Sequence, residues 1–105
     1  MAITSNPINQ NGALITAQGT KTFFNITANT LIKAGVGRVA KISVVVAGSG
    51  AGSVHDSATI GAAGAANELA AIPFAATTVL NIDMPVFNGI VVKPGTGQTL
   101  AVSFI

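Results

Sequence analysis

Acid–base, nucleophilic and metal chemistry all need several convergent polar groups, and this chain supplies few. It has one histidine, His55, two aspartates, Asp56 and Asp83, one glutamate, Glu68, and no cysteine. His55-Asp56 is the only adjacent pair, but neighbouring side chains on a strand point to opposite faces, so adjacency does not make a dyad. A lone histidine holds no structural metal unless symmetry gathers copies of it. The run Gly48-Ser49-Gly50-Ala51-Gly52 lacks the Lys-Ser/Thr of a phosphate loop and leads into a strand pattern where a helix is required. No catalytic residue, metal ligand or cofactor is therefore assigned, and a hydrolase using His55 stands only as a third class of function.

Two features remain. Asp56 is in phase with Val54, Ala58 and Ile60 on an apolar face, where a carboxylate must find a donor: a backbone N–H, or Lys41 or Arg38 from a neighbouring strand. The other reading ends or bulges the strand at Val54 and leaves Asp56 in water. His55 is expected at the surface or in an interface. Lys33, Arg38 and Lys41 fall within nine residues around one turn, a basic patch for an acidic partner. With phenylalanine as the only aromatic type, and Phe23 and Phe24 more economically placed in a core, stacking on bases is not expected, and nucleic acid is not an expected partner.

The elements that position these residues read as strands. Leu100, Val102 and Phe104 alternate with Thr99, Ala101 and Ser103, the period of a half-buried strand. Phe87–Lys93 reads as its hairpin partner across the turn Pro94-Gly95-Thr96-Gly97. Ala40, Ile42, Val44 and Val46 form one face, with Val39 and Val45 blurring the pattern as in a strand covered on both sides. The strand stops at a flexible connector, Gly48–Gly52. Val54, Ala58 and Ile60 alternate with His55, Ser57 and Thr59 ahead of a second small-residue loop at 61–66. Phe24, Ile26, Ala28, Thr30 and Ile32 define a further face, and Leu80, Ile82 and Met84 another before Pro85. Leu14–Thr16 and Leu69–Ile72 are weaker candidates. Eighteen alanines favour helix in general, yet nowhere do apolar residues recur at helical spacing over three turns. The best helical stretch is 64–71, two turns at most. The expectation is an all-β chain, a single antiparallel β-sandwich or jelly-roll-like domain of about seven to nine short strands over residues 12–105. Residues 1–11, polar but carrying Ile3 and Ile8, read as an extended arm or, equally, as a frayed terminus.

Composition says what kind of surface that domain presents. Charged residues make up 8% of the chain while half of it is apolar, against about a quarter charged in an ordinary soluble domain. A monomer of 10.4 kDa exposes roughly 5,400 Å², which leaves about one charge per 700 Å². Such a surface calls for other protein subunits. The net charge of +2 is too small an excess to argue for nucleic acid. No membrane partner is expected either: the uncharged, largely apolar stretches 42–54 and 69–82 fall short of the about 20 apolar residues a spanning helix needs. Met1–Pro7 has neither the positive region nor the apolar run of a signal peptide.

Gly37–Val46, Ser53-Val54-His55-Asp56-Ser57-Ala58 and the closing Phe87–Phe104 segment together resemble the small bacteriophage virion proteins that decorate or cement capsids. The resemblance covers roughly residues 34–105, and the alanine- and glycine-rich stretch 47–71 departs from it. It implies a structural role for Asp56, Gly89 and Gly97, joined by Phe104, which closes the last core stripe. It also implies homo-oligomers, with a trimer favoured, that assemble on a major capsid protein. The expected function is thus a non-enzymatic structural virion protein, made in the host cytoplasm and seated on the capsid exterior. Ile3, Ile8, Lys33, Arg38 and Lys41 are its expected contacts. The alternative is a host-adhesion module of a tail or fibre whose loops at 48–53 and 61–66 bind carbohydrate, although the chain lacks the Trp and Tyr on which sugars usually stack.

Overall fold

The computed structural model describes residues 19–105. In chain order they form β1 (Lys21–Ile26), β2 (Thr30–Ala34), β3 (Gly37–Val46), β4 (Gly52–Asp56), β5 (Glu68–Ile72), β6 (Val79–Val86), β7 (Gly89–Lys93) and β8 (Thr99–Phe104), with one short 3₁₀ turn at Ala65–Asn67. The strands make two antiparallel four-stranded sheets, ordered β1-β8-β3-β6 and β2-β7-β4-β5. Only β4 and β5 are consecutive strands within one sheet; every other connection crosses to the opposite layer. That order is the jelly-roll form of the expected β-sandwich. Among the described residues no helix is long and apolar enough to cross a membrane. The arm 1–11 with Ile3 and Ile8, and the strand candidate at 14–16, lie outside the described residues.

The core lies between the sheets. Ile26, Val39, Ile42, Val44, Val86, Leu100, Val102 and Phe104 from the first sheet meet Ile32, Val54, Ile72, Ile90 and Val92 from the second. Most are β-branched, the residue type that packs best on a pleated, half-buried surface. β8 keeps the simple alternation throughout, with Leu100, Val102 and Phe104 buried and the residues between them part-exposed.

Register shifts set the other faces. β1 shifts register between Phe23 and Ile26, where Asn25 adopts φ +57, so Phe23 and Ile26 share a face and Phe24 turns outward at 71% exposure. The expected single face from Phe24 to Ile32 is therefore two strands, and Phe24 is not its inward member. β3 shifts against β8 between Val39 and Lys41 and again between Val44 and Val46; Val39 joins the core while Val45 and Val46 are exposed. A bulge, and not cover on both sides, explains the blurred pattern there. β6 bulges beside Asp83, at φ +50, and continues through Pro85 to Val86. Proline is tolerated because β6 is an edge strand.

β7 and β8 are not a hairpin. They belong to different sheets, and the link from Pro94 to Gln98 spans the gap of about 10 Å between them. The Gly48–Gly52 segment is not a loose connector either: Gly48 N–H donates to Phe74 O at 2.9 Å and Ser49 N–H to Thr96 O at 2.9 Å. Gln98, 1% exposed, ties this end together, accepting from Gly95 N–H at 3.0 Å and donating from Nε2 to Pro73 O at 2.7 Å.

Candidate functional site

β4 ends at Asp56, and the chain from Ser57 to Asn67 folds back over the outer face of the second sheet. Its cover is the reason His55 is 2% exposed where a surface or interface position was expected. Alternation puts Ser53 and His55 on this outer face, with Val54 and Ile90 inward. Across the register Ser53 lies opposite Lys93 and His55 opposite Val91 on β7, while His55 faces Glu68 on β5.

The hydrogen bonds of the ring fix its tautomer. Asn67 donates from Nδ2 to Ala62 O at 3.0 Å and accepts the Gly64 N–H on Oδ1 at 2.9 Å, so its amide orientation is set. His55 Nδ1 then faces two oxygens, Gly64 O at 2.9 Å and Asn67 Oδ1 at 3.2 Å, and must carry the proton. Nε2 is left as acceptor for the Ser53 hydroxyl at 2.7 Å. Lys93 Nζ donates to Ala63 O at 2.6 Å and pins the same loop. A hydroxyl, an imidazole and an amide oxygen thus lie in one hydrogen-bonded chain. Sequence reasoning missed it by weighing the neighbours His55-Asp56. The legible signal is the spacing Ser53-x-His55, which on a strand shares one face; Asn67 enters only through closure of the loop.

Asp56 serves the opposite end of β4. Its Oδ1 accepts Asn88 N–H at 2.8 Å and Gly89 N–H at 3.4 Å, and Phe87 N–H reaches both carboxylate oxygens at 3.1 Å. The donors are backbone amides of the β6–β7 turn, not Lys41 or Arg38, which sit on β3 in the other sheet. Desolvation alone would raise the pKa of this carboxyl, but the amides of Asn88, Phe87 and Gly89 outweigh it and hold the group below its ordinary value. A folded pKa below the unfolded one contributes stability that is complete above the unfolded value, about 3.9, and is lost as pH falls through the depressed folded value. Asp56→Asn is expected to lower the melting temperature at pH 7, with the gap to wild type narrowing as pH falls below the unfolded value of about 3.9. Thermal melts across that range check it, and a gap that stays constant with pH contradicts it.

The three basic residues have different neighbours. Lys33 is on β2 with its side chain lying against Gly37, Arg38 donates from Nη2 to Asp83 O at 2.9 Å, and Lys41 is exposed further along β3. Gly89 and Phe104 sit in packed positions and Asp56 is half-buried, whereas Gly97 lies in a turn with open space where a side chain would go. Among the described residues no group of His, Cys, Asp and Glu is placed to hold a metal ion, and no cleft encloses a small molecule. Comparison with protein-family models, curated proteins and solved structures found no match.

Proposed function

We propose that this is a structural virion protein that self-associates, as a trimer by preference, and seats on the major capsid protein at the capsid exterior. One observation carries the reading: four of the five phenylalanines stand in solvent. Phe24 is 71% exposed, Phe87 70%, Phe74 56% and Phe23 39%, leaving Phe104 alone in the core. Burying such a ring is worth about 1.5–3 kcal/mol, and exposed apolar area beyond a few hundred Å² marks a contact surface.

The exposed residues gather where loops meet. Gly35 N–H donates to Asn88 O at 2.9 Å, joining the β2–β3 and β6–β7 turns that carry Val36 and Phe87, each 70% exposed. Asp56 fixes the second of these turns, so the apolar tips are presented on a rigid base, with little ordering entropy left to lose on docking. At the opposite end Phe74 stands beside the Gly48 loop. Surfaces at both ends suit a subunit that bridges neighbours, and repetition over many sites multiplies weak contacts into avidity.

Light scattering at micromolar concentration is expected to give about three times 10.4 kDa, and the protein is expected to co-sediment with undecorated phage shells. Phe87→Asp, at a site with no packing to lose, is expected to weaken association or shell binding by tenfold or more, since about 1.4 kcal/mol is a factor of ten. A stable monomer that ignores shells overturns the proposal.

A further inference from the structure

We infer that Ser53 is a nucleophile armed by His55 and Asn67, able to take the acyl group of small activated carboxylic esters. The geometry is that of a nucleophile, its base and an orienting group in line. The Ser53 hydroxyl lies 2.7 Å from His55 Nε2, and Nδ1–H is held by Gly64 O at 2.9 Å and Asn67 Oδ1 at 3.2 Å. Two acceptors on Nδ1 prevent the ring from turning and stabilise the imidazolium formed when Nε2 takes a proton.

Exposure is graded in the useful direction. The base is 2% exposed, while Ser53, on the same face of β4, is part-buried. Lys93 is the directly opposite residue on β7, which places the two Cβ atoms about 4.5–5.5 Å apart. Its ammonium donates to Ala63 O at 2.6 Å, which holds a positive charge on the loop that covers His55. Glu68, opposite His55 on β5, is exposed and is the other charged group in register with the relay. No cleft among the described residues grips a leaving group. This limits the substrate class to short acyl esters whose alcohol leaves readily.

In the acylation step Ser53 Oγ bonds to the ester carbonyl carbon, its proton passes to His55 Nε2, and the carbonyl π pair moves onto oxygen. Collapse breaks the bond to the alkoxide, which takes the proton from Nε2, giving acyl-Ser53 and free alcohol. Water then attacks with Nε2 as base, releasing the carboxylic acid and restoring the hydroxyl.

The test treats the full chain with p-nitrophenyl acetate and, separately, an alkyl fluorophosphonate, and maps the modified residue by mass spectrometry. Labelling at Ser53 is expected at least about 100-fold faster in the native protein than in the urea-unfolded chain, within the usual range for a positioned general base. Ser53→Ala is expected to abolish the label. His55→Asn, whose amide nitrogen still reaches Gly64 O, is expected to remove the acceleration. Native labelling no faster than unfolded labelling overturns the inference, and so does equal labelling in a folded His55→Asn protein. The native-against-unfolded comparison decides the question even if the variant fails to fold, and oligomer mass is unaffected by either result.

Discussion

Phe104→Ala is expected to cost about 3–5 kcal/mol, a large share of the roughly 5–15 kcal/mol that holds an ordinary domain together. Phe104 sits on β8 between two partner strands, opposite Lys21 on β1 and Val39 on β3, and is 7% exposed. Truncation leaves a cavity walled by β-branched residues whose backbones are fixed on both sides by ladder hydrogen bonds, so the site cannot collapse onto the void. Phe24 provides the control: at 71% exposure, Phe24→Ala should stay within about 0.5 kcal/mol of wild type. Urea denaturation of the two variants is the measurement. A Phe24→Ala loss equal to that of Phe104→Ala would mean that the β1 bulge at Asn25 is misplaced.

That bulge marks the limit of what the chain discloses on its own. Leu100, Val102 and Phe104 could be read directly because β8 alternates without interruption in the middle of a sheet. The all-β class and the strand count followed from similar short runs. Phase was lost where one extra residue enters a ladder, as beside Asn25, Ala40 and Asp83, since period two predicts a face only until the count slips. Pairing was lost for another reason. Alternation says which side of a strand is apolar but not which sheet the strand joins, so β7 and β8, joined by a turn-rich link, looked like a hairpin. In this topology consecutive strands mostly change layers. The need of Asp56 for a donor was legible, and a backbone amide was among the candidates. Which amides serve it was not, because Phe87, Asn88 and Gly89 lie more than thirty residues away in sequence. The burial of His55 depends on the 57–67 cover, whose alanines and glycines carry no periodic signal.

Gly89→Ala is expected to be at least as damaging, costing about 3 kcal/mol or more and leaving little native protein at room temperature. A Cβ at Gly89 would lie 2.5 Å from Ser57 O and 2.8 Å from Lys33 O. Both are backbone atoms, one just beyond β4 and one on β2, the two strands that flank β7. Neither can give way alone. Ser57 N–H donates to Gly89 O at 3.0 Å, and Gly89 N–H points to the Asp56 carboxylate, so shifting either wall breaks the anchor of the β6–β7 turn as well. Gly97 shares the expected structural role but differs physically. It holds φ +74, and a Cβ there would have nothing within 4 Å, so Gly97→Ala meets only the left-handed backbone penalty of about 1–2 kcal/mol. Circular dichroism melts should therefore rank Gly89→Ala far below Gly97→Ala. A Gly89→Ala protein that melts within a few degrees of wild type would show that β7 can move away from β2 and β4, and with it that the Asp56-anchored end of the sandwich is not the rigid base on which Val36 and Phe87 are presented.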